Sequence, residues 1–288
     1  MRGAAGGARV GGCAVLLLLL ASARGLAQEV EGGNKEPGLP ARAGEALLDE
    51  VKRYAKDSAA LVTAPFHWDR DDASRAIGAG VIIGGLITAD PRIYRGIQDI
   101  RSDFTDSVSS ATTVFGAGAA VWTAGGLLCI GLVSGQNGIR DMGRDSLETL
   151  TLTSVLTHFV LKPTFGRWRP YESNGTNRFE PFSGHNSFPS GHATYAWSVA
   201  SVVAMRAPGW IIPTVAYGLA TVVAFDRVND QQHFMGDVVA GAFFATATGR
   251  FLVRRHLAEC RITADEKTPA VSFEVIPIRD GAALRLLF

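Results

Sequence analysis

Apolar and polar positions fall in blocks whose spacing suits helices packed against one another. From Glu45 to Leu61, the positions Leu47, Leu48, Val51, Tyr54 and Ala55 share one helical face. Ala76 to Ala89 is apolar and glycine-rich, and Asp90-Pro91 is expected to end it. Ile93, Ile97, Ile100, Phe104 and Val108 recur at spacings of three or four, which predicts one amphipathic helix with Asp and Arg outside. Ser110 to Gly135 carries no charge and is long enough to cross a bilayer. Leu147 to Leu161 is a further helix, opening into a polar stretch from Lys162 to Phe188. Three apolar segments follow, His192 to Met205, Trp210 to Phe225 and His233 to Val253, with Pro208-Gly209 turning between the first two. In the tail, Val271, Phe273 and Val275 alternate with polar neighbours, as do Leu284, Leu286 and Phe288 beyond Asp280-Gly281. The expected fold is therefore all-α, a helical bundle of about six core helices with a short C-terminal β-hairpin over 268–288.

The ends and the composition refine this picture. Arg2 and Arg9 precede an apolar stretch from Cys13 to Ala23, and Gly25-Leu26-Ala27 follows. That order reads as a cleaved export signal over 1–27, since its apolar core of about 11 residues is shorter than the roughly 20 of a spanning helix. Residues 28–43 read as a linker and 44–265 as the helical domain. The 288 residues carry a net charge of +1 and only 19% charged residues, which argues against a nucleic-acid partner and leaves a membrane partner open. Three cysteines cannot form a disulfide framework; a Cys129–Cys260 bridge stays open.

Three polar clusters interrupt the apolar segments. Lys162, Arg167 and Arg169 lie in Lys162-Pro163-Thr164-Phe165-Gly166-Arg167-Trp168-Arg169-Pro170, where a helix stops. Cations at a buried helix end are costly unless an anion neutralises them, and the planar fork of Arg suits a tetrahedral oxyanion. In Pro189-Ser190-Gly191-His192, Ser190 is a helix N-cap and Gly191 permits close backbone approach. The following amide groups and the helix dipole then favour an anion, with His192 beside it to move a proton. In the third cluster Arg227 precedes His233 and Asp237, which are four residues apart and share a face if both are helical. A carboxylate beside imidazole fixes its tautomer. Singly, these clusters read as a cationic rim, a helix cap and a surface ion pair. In an up-down bundle all three fall at the same end.

Lys and, six residues on, Arg-Pro; then Pro-Ser-Gly-His; then Arg, five residues, His, three residues, Asp: over about residues 150–255 this pattern resembles the type 2 phosphatidic acid phosphatase and vanadium haloperoxidase superfamily. The resemblance implies that Lys162, Arg169 and Arg227 hold phosphoryl oxygens and that Ser190 and Gly191 contact them. It further implies that His192 is the general acid, His233 the nucleophile and Asp237 its orienting partner, with no metal or other cofactor. Asp226 departs from the Ser usual before the third-motif Arg. A carboxylate there either competes for Arg227 or points away, and the expectation is that it points away. Of the other histidines, His158 is expected in the core or behind the site, His185 near the pocket, and His67 and His256 at the surface.

The implied activity is a phosphatase hydrolysing phosphomonoesters or pyrophosphates, lipid phosphates foremost, through a phosphohistidine, with a phosphorylated lipid or small phosphoester as its partner. Alternatives are a soluble broad-specificity acid phosphatase, a vanadate-dependent haloperoxidase and a non-catalytic envelope protein. The expected location is exported and membrane-associated, with the site facing the periplasm or exterior. That orientation follows if the short 76–89 segment does not span, or if the exported bundle is soluble or only associated with the membrane.

Overall fold

A computed structural model describes the backbone of residues 39–267, 272–278 and 281–287, and the side chains of 44–109 and 118–261. The expected export signal lies outside these residues. The helices are α1 (Leu39–Thr63), α2 (Arg70–Asp99), α3 (Asp103–Ser134), α4 (Asn137–Val155), a single short turn α5 (Lys162–Phe165), α6 (Gly191–Arg206), α7 (Ile211–Asn229) and α8 (Met235–Lys267). The chain divides at Leu252 into two compact units. In the second, beyond the end of α8, strands β1 (Ser272–Ile278) and β2 (Gly281–Leu287) pair antiparallel, with Ser272 opposite Leu287.

Four boundaries differ from the sequence expectation. Helix α1 starts at Leu39, inside the segment read as linker. Helix α2 runs straight through Asp90-Pro91. Pro91 has no N–H for the Ile87 carbonyl four residues back, and the side-chain amide of Asn177 donates to that carbonyl instead. The expected helix over 93–108 is two: α2 ends at Asp99, and Ser102 caps α3. Ser102 Oγ accepts from Thr105 N–H while Thr105 Oγ1 accepts from Ser102 N–H, a reciprocal pair that starts a new helix whatever the apolar spacing. Helix α4 passes through a π-turn, Leu156–Leu161, before α5, and Gly166 then stops it in the left-handed region at φ 51°. Cys129 carries a free thiol.

Small and polar side chains fill the interior of the first unit. Ala120, Ala124 and Leu128 of α3 meet Leu147 and Leu150 of α4 and Val199 of α6. A second cluster joins Ile97, Ala193, Ala224, Val228 and Val238. Between them Ser146, Thr149, Thr153, Thr157, Thr194, Ser198 and Ser201 are buried, with Thr153 and Ser198 hydroxyls 3.0 Å apart. Large apolar side chains instead face outward: Ile77, Val81 and Ile82 on α2, and Ile211, Val215, Leu219 and Val222 on α7. Both helices are long and apolar enough to cross a membrane. Helix α2 has 30 residues, longer than the 76–89 segment expected from the sequence.

Helices α3 and α4 approach so closely that a Cβ on Gly143 would lie 2.3 Å from the Leu128 nitrogen. Gly143→Ala should therefore force the two backbones apart and cost about 1–3 kcal/mol, lowering the unfolding midpoint by several degrees. Gly126→Ala, where nothing lies within 4 Å of the added Cβ, should leave the midpoint within about one degree of wild type. Thermal melts of the two variants side by side check the packing.

Candidate active site

The turns at one end of the bundle gather all eight residues singled out in the sequence. Lys162 leaves the π-turn, is buried, and donates to the Asn186 carbonyl at 2.5 Å. Arg169 donates to the side-chain oxygen of Asn186 at 3.0 and 3.2 Å and to that of Gln232 at 2.5 Å, tying the first cluster to the third. Ser190 occupies the N-cap position of α6, but its hydroxyl does not cap the helix. It is buried and has no hydrogen-bond partner among the described residues. Gly191 opens the helix, with the ring of His158 against its Cα side. The Ser190 N–H donates to the Asp237 carbonyl at 2.9 Å, joining the start of α6 to the start of α8.

His233 and Asp237 do not share a helical turn. Helix α8 begins at Met235, so His233 stands in the turn before it, with its Nδ1 3.6 Å from Asp237 Oδ2. That is an ion-pair separation rather than a hydrogen bond. The same carboxylate oxygen accepts from Ser187 Oγ at 2.6 Å and from Phe234 N–H at 2.9 Å. Its other oxygen accepts from Arg167 at 2.6 Å. Burial alone would raise Asp237; the Arg167 guanidinium, then His233 and Ser187, outweigh it and hold the carboxyl down at about 2.

Burial and the neighbouring cations keep both imidazoles neutral. His192 is pushed down to about 3, first by burial, then by Arg227, His233, Lys162 and Arg169. His233 is pushed down to about 4, chiefly by burial and with Lys162 and Arg169 adding, against the opposing pull of Asp237. Lys162 falls to about 8 through burial and Arg169. Lys162 and Arg169 thus act on both imidazoles.

Asp226 does not point away. It is buried and pairs with the Arg227 guanidinium, whose Nε lies 3.1 Å from its Oδ2. It also accepts from Ser109 on α3, and Asp230 lies 3.5 Å from the same guanidinium. Two carboxylates therefore face Arg227, because its helix ends there and both flank it on one side. His185 stacks on Trp168 at 3.8 Å and sits 3.3 Å from Glu172, which accepts the Arg169 N–H. His67 is exposed, as expected; His256 is buried.

Sequence reasoning missed Asp90, Ser187 and Asn186, and did not separate Arg167 from its cationic neighbours. Arg167 is fully buried and lies between Asp237 and Asp90, 2.7 Å from the latter. Asp90 looked like a helix terminator, and nothing in its neighbourhood announces a partner 77 residues away.

The profile of the PAP2 superfamily matches residues 146–259. Lipid A 1-phosphatase of Rhizobium etli is 35% identical over 103 residues, which is 34% of this chain and 44% of that protein. Its counterpart in Rhizobium johnstonii is 34% identical over 101 residues, 33% of this chain and 40% of that protein. The chain thus spans less than half the length of these relatives. The solved structure of LpxE from Aquifex aeolicus gives a TM-score of 0.43 at 20% identity, covering 57% of this chain and 93% of that one, a likeness too slight to bear on fold or activity. Residues 146–259 of the chain are thus similar to the PAP2 superfamily.

Proposed function

We propose that the protein is a membrane-associated phosphatase that removes a phosphate from a phosphorylated lipid through a phosphohistidine on His233. The observation that carries this reading is the joining of the three clusters by hydrogen bonds, Arg169 to Gln232 and Ser190 N–H to the Asp237 carbonyl, which leaves the unpartnered Ser190 hydroxyl and the buried His233 in one site. Such a cup is short of negative charge and is suited to a phosphoryl group.

The Nε2 lone pair of His233 attacks phosphorus while its Nδ1–H faces Asp237. The P–O bond to the alcohol breaks, and His192 supplies the proton that the departing oxygen takes. Water then attacks the phosphohistidine, giving up a proton to His192, and orthophosphate leaves with His233 restored. Lys162, Arg169, Arg227, Ser190 and the first amides of α6 hold the equatorial oxygens. Asp226 and Asp230 already offset part of the Arg227 charge, so Lys162 and Arg169 carry the larger share.

Two features favour a lipid. Outward-facing large apolar side chains over an interior of Ser, Thr, Ala and Gly are the arrangement of helices in an apolar solvent. The relatives' names also specify a phosphorylated lipid as substrate.

His233→Ala should lower kcat by at least about 10³-fold and Asp237→Asn by about 10²–10⁴-fold, with KM changing little. Phosphate release from phosphatidate in detergent micelles checks this, and His233→Ala turning over at the wild-type rate would remove the assignment.

A second prediction concerns protons. Neighbouring cations depress His192, so a bound dianion must raise it. The complex then holds more protons than the free protein, and binding weakens as pH rises. Sulfate, which does not titrate near neutrality, should bind with proton uptake between about pH 5 and 6.5, where Lys162 is already charged. Calorimetry in buffers of different ionisation heat reads the uptake, which His192→Asn should reduce. Sulfate affinity independent of pH would contradict the role given to His192.

A further inference from the structure

Behind His233, three buried charges stand in a line that the transfer chemistry itself does not call for. Arg167 Nη1 donates to Asp237 at 2.6 Å, while Nη2 donates to Asp90 at 2.7 Å and to the side-chain oxygen of Asn177. All three charged side chains are shut off from solvent. The Arg167 guanidinium lies 4.3 Å from the Phe234 ring and 5.0 Å from that of Phe179. The second oxygen of Asp90 accepts the Gly236 N–H at 2.9 Å, one of the amides that α8 leaves unsatisfied at its start. Asp90 and Asp237 thus grip the turn 233–237 from opposite sides, with one cation between them.

We infer that Arg167 and Asp90 are positioning residues for the nucleophile. The Asp90–Arg167 pair keeps Asp237 ionised and aimed at His233 Nδ1, so that α2, which lies outside residues 146–259, governs the reactivity of the site. The inference rests on the proposed role of His233.

The division of labour on Asp237 supports it. One carboxylate oxygen serves His233, Ser187 and Phe234 N–H; Arg167 holds the other, fixing the rotation of the group. The charged groups acting on Asp237 are Arg167, His233 and Lys162, with Asp90 behind Arg167. Lys162 faces the phosphate cup, which leaves Arg167 as the cation committed to Asp237. Without it, two desolvated carboxylates would lie across one gap, and one would take a proton. A proton on Asp237 would weaken the acceptor that sets the His233 tautomer. The proline defect in α2 is tied into the same line: Asn177 donates to the Ile87 carbonyl freed by Pro91 and accepts from Arg167.

The test compares wild type, Arg167→Met, Arg167→Lys, and Arg167→Met combined with Asp90→Asn, all in the full chain, by phosphate release from phosphatidate micelles over about pH 4–9. Arg167→Met should lower kcat by about 10–100-fold with KM within about threefold, and move the acid limb of the pH profile upward by about one unit. Adding Asp90→Asn removes the competing carboxylate. It should recover kcat about tenfold and return the acid limb toward wild type. A merely structural bridge predicts the reverse, because the double variant has lost more contacts. A double variant no faster than Arg167→Met, or an Arg167→Met profile identical to wild type, overturns the inference. Should Arg167→Met not fold, Arg167→Lys decides: it keeps the charge and surrenders the planar fork, so kcat should fall about tenfold with the acid limb unmoved, and wild-type kcat overturns the inference. His233→Ala separates the two readings. Turnover in that variant removes the nucleophile assignment, whereas an inert His233→Ala beside an unrescued Arg167→Met removes the bridge alone.

Discussion

Positive charge taken out of water must meet negative charge, and the site end of this bundle holds four cations. Arg167 lies between Asp90 and Asp237, and Arg227 against Asp226 and Asp230. Breaking one partner from a buried pair of this kind typically costs about 3–5 kcal/mol, so these carboxylates fix where the turns can go. Lys162 and Arg169 are held differently, by the neutral oxygens of Asn186 and Gln232. The two protein-paired arginines set the geometry, and the cations tied to neutral oxygens are the ones ready for an oxyanion.

The rest of the first unit brings four chain turns to one point. Small residues let α3 and α4 cross with backbones nearly touching, and buried hydroxyls bond within and between α4 and α6. Large apolar groups are left on the outside of α2 and α7, where a bilayer accepts them and water does not. The same helix, α2, carries Ile77, Val81 and Ile82 outward and Asp90 inward to the turn 233–237. The outward apolar face and the site geometry therefore meet in one element.

Much of the site could be read from the chain because its chemistry is local. Lys162 and Arg169, Ser190 to His192, and Arg227 to Asp237 are short runs whose spacing carries their meaning, and all of them meet in the fold. The misreadings have a common physical cause. Asp90-Pro91 carries a strong local stop signal, and Asn177, distant in sequence, cancels it by filling the vacant carbonyl. The helix through 93–108 follows apolar spacing correctly, yet Ser102 and Thr105 form a reciprocal cap that spacing does not report. Asp226 is expected from the sequence to point away, whereas its charge finds Arg227 one residue away. Arg167 and Arg169 look equivalent in sequence; burial against Asp90 makes one a strut and leaves the other facing the cup.

A structure of the protein with vanadate bound tests the central claim most directly, because vanadate forms a five-coordinate centre where a phosphoryl group would react. The account predicts a bond from His233 Nε2 to vanadium, with the equatorial oxygens on Lys162, Arg169, Ser190 and the first amide groups of α6. Vanadate bonded to another residue, or seated away from these groups, would contradict it.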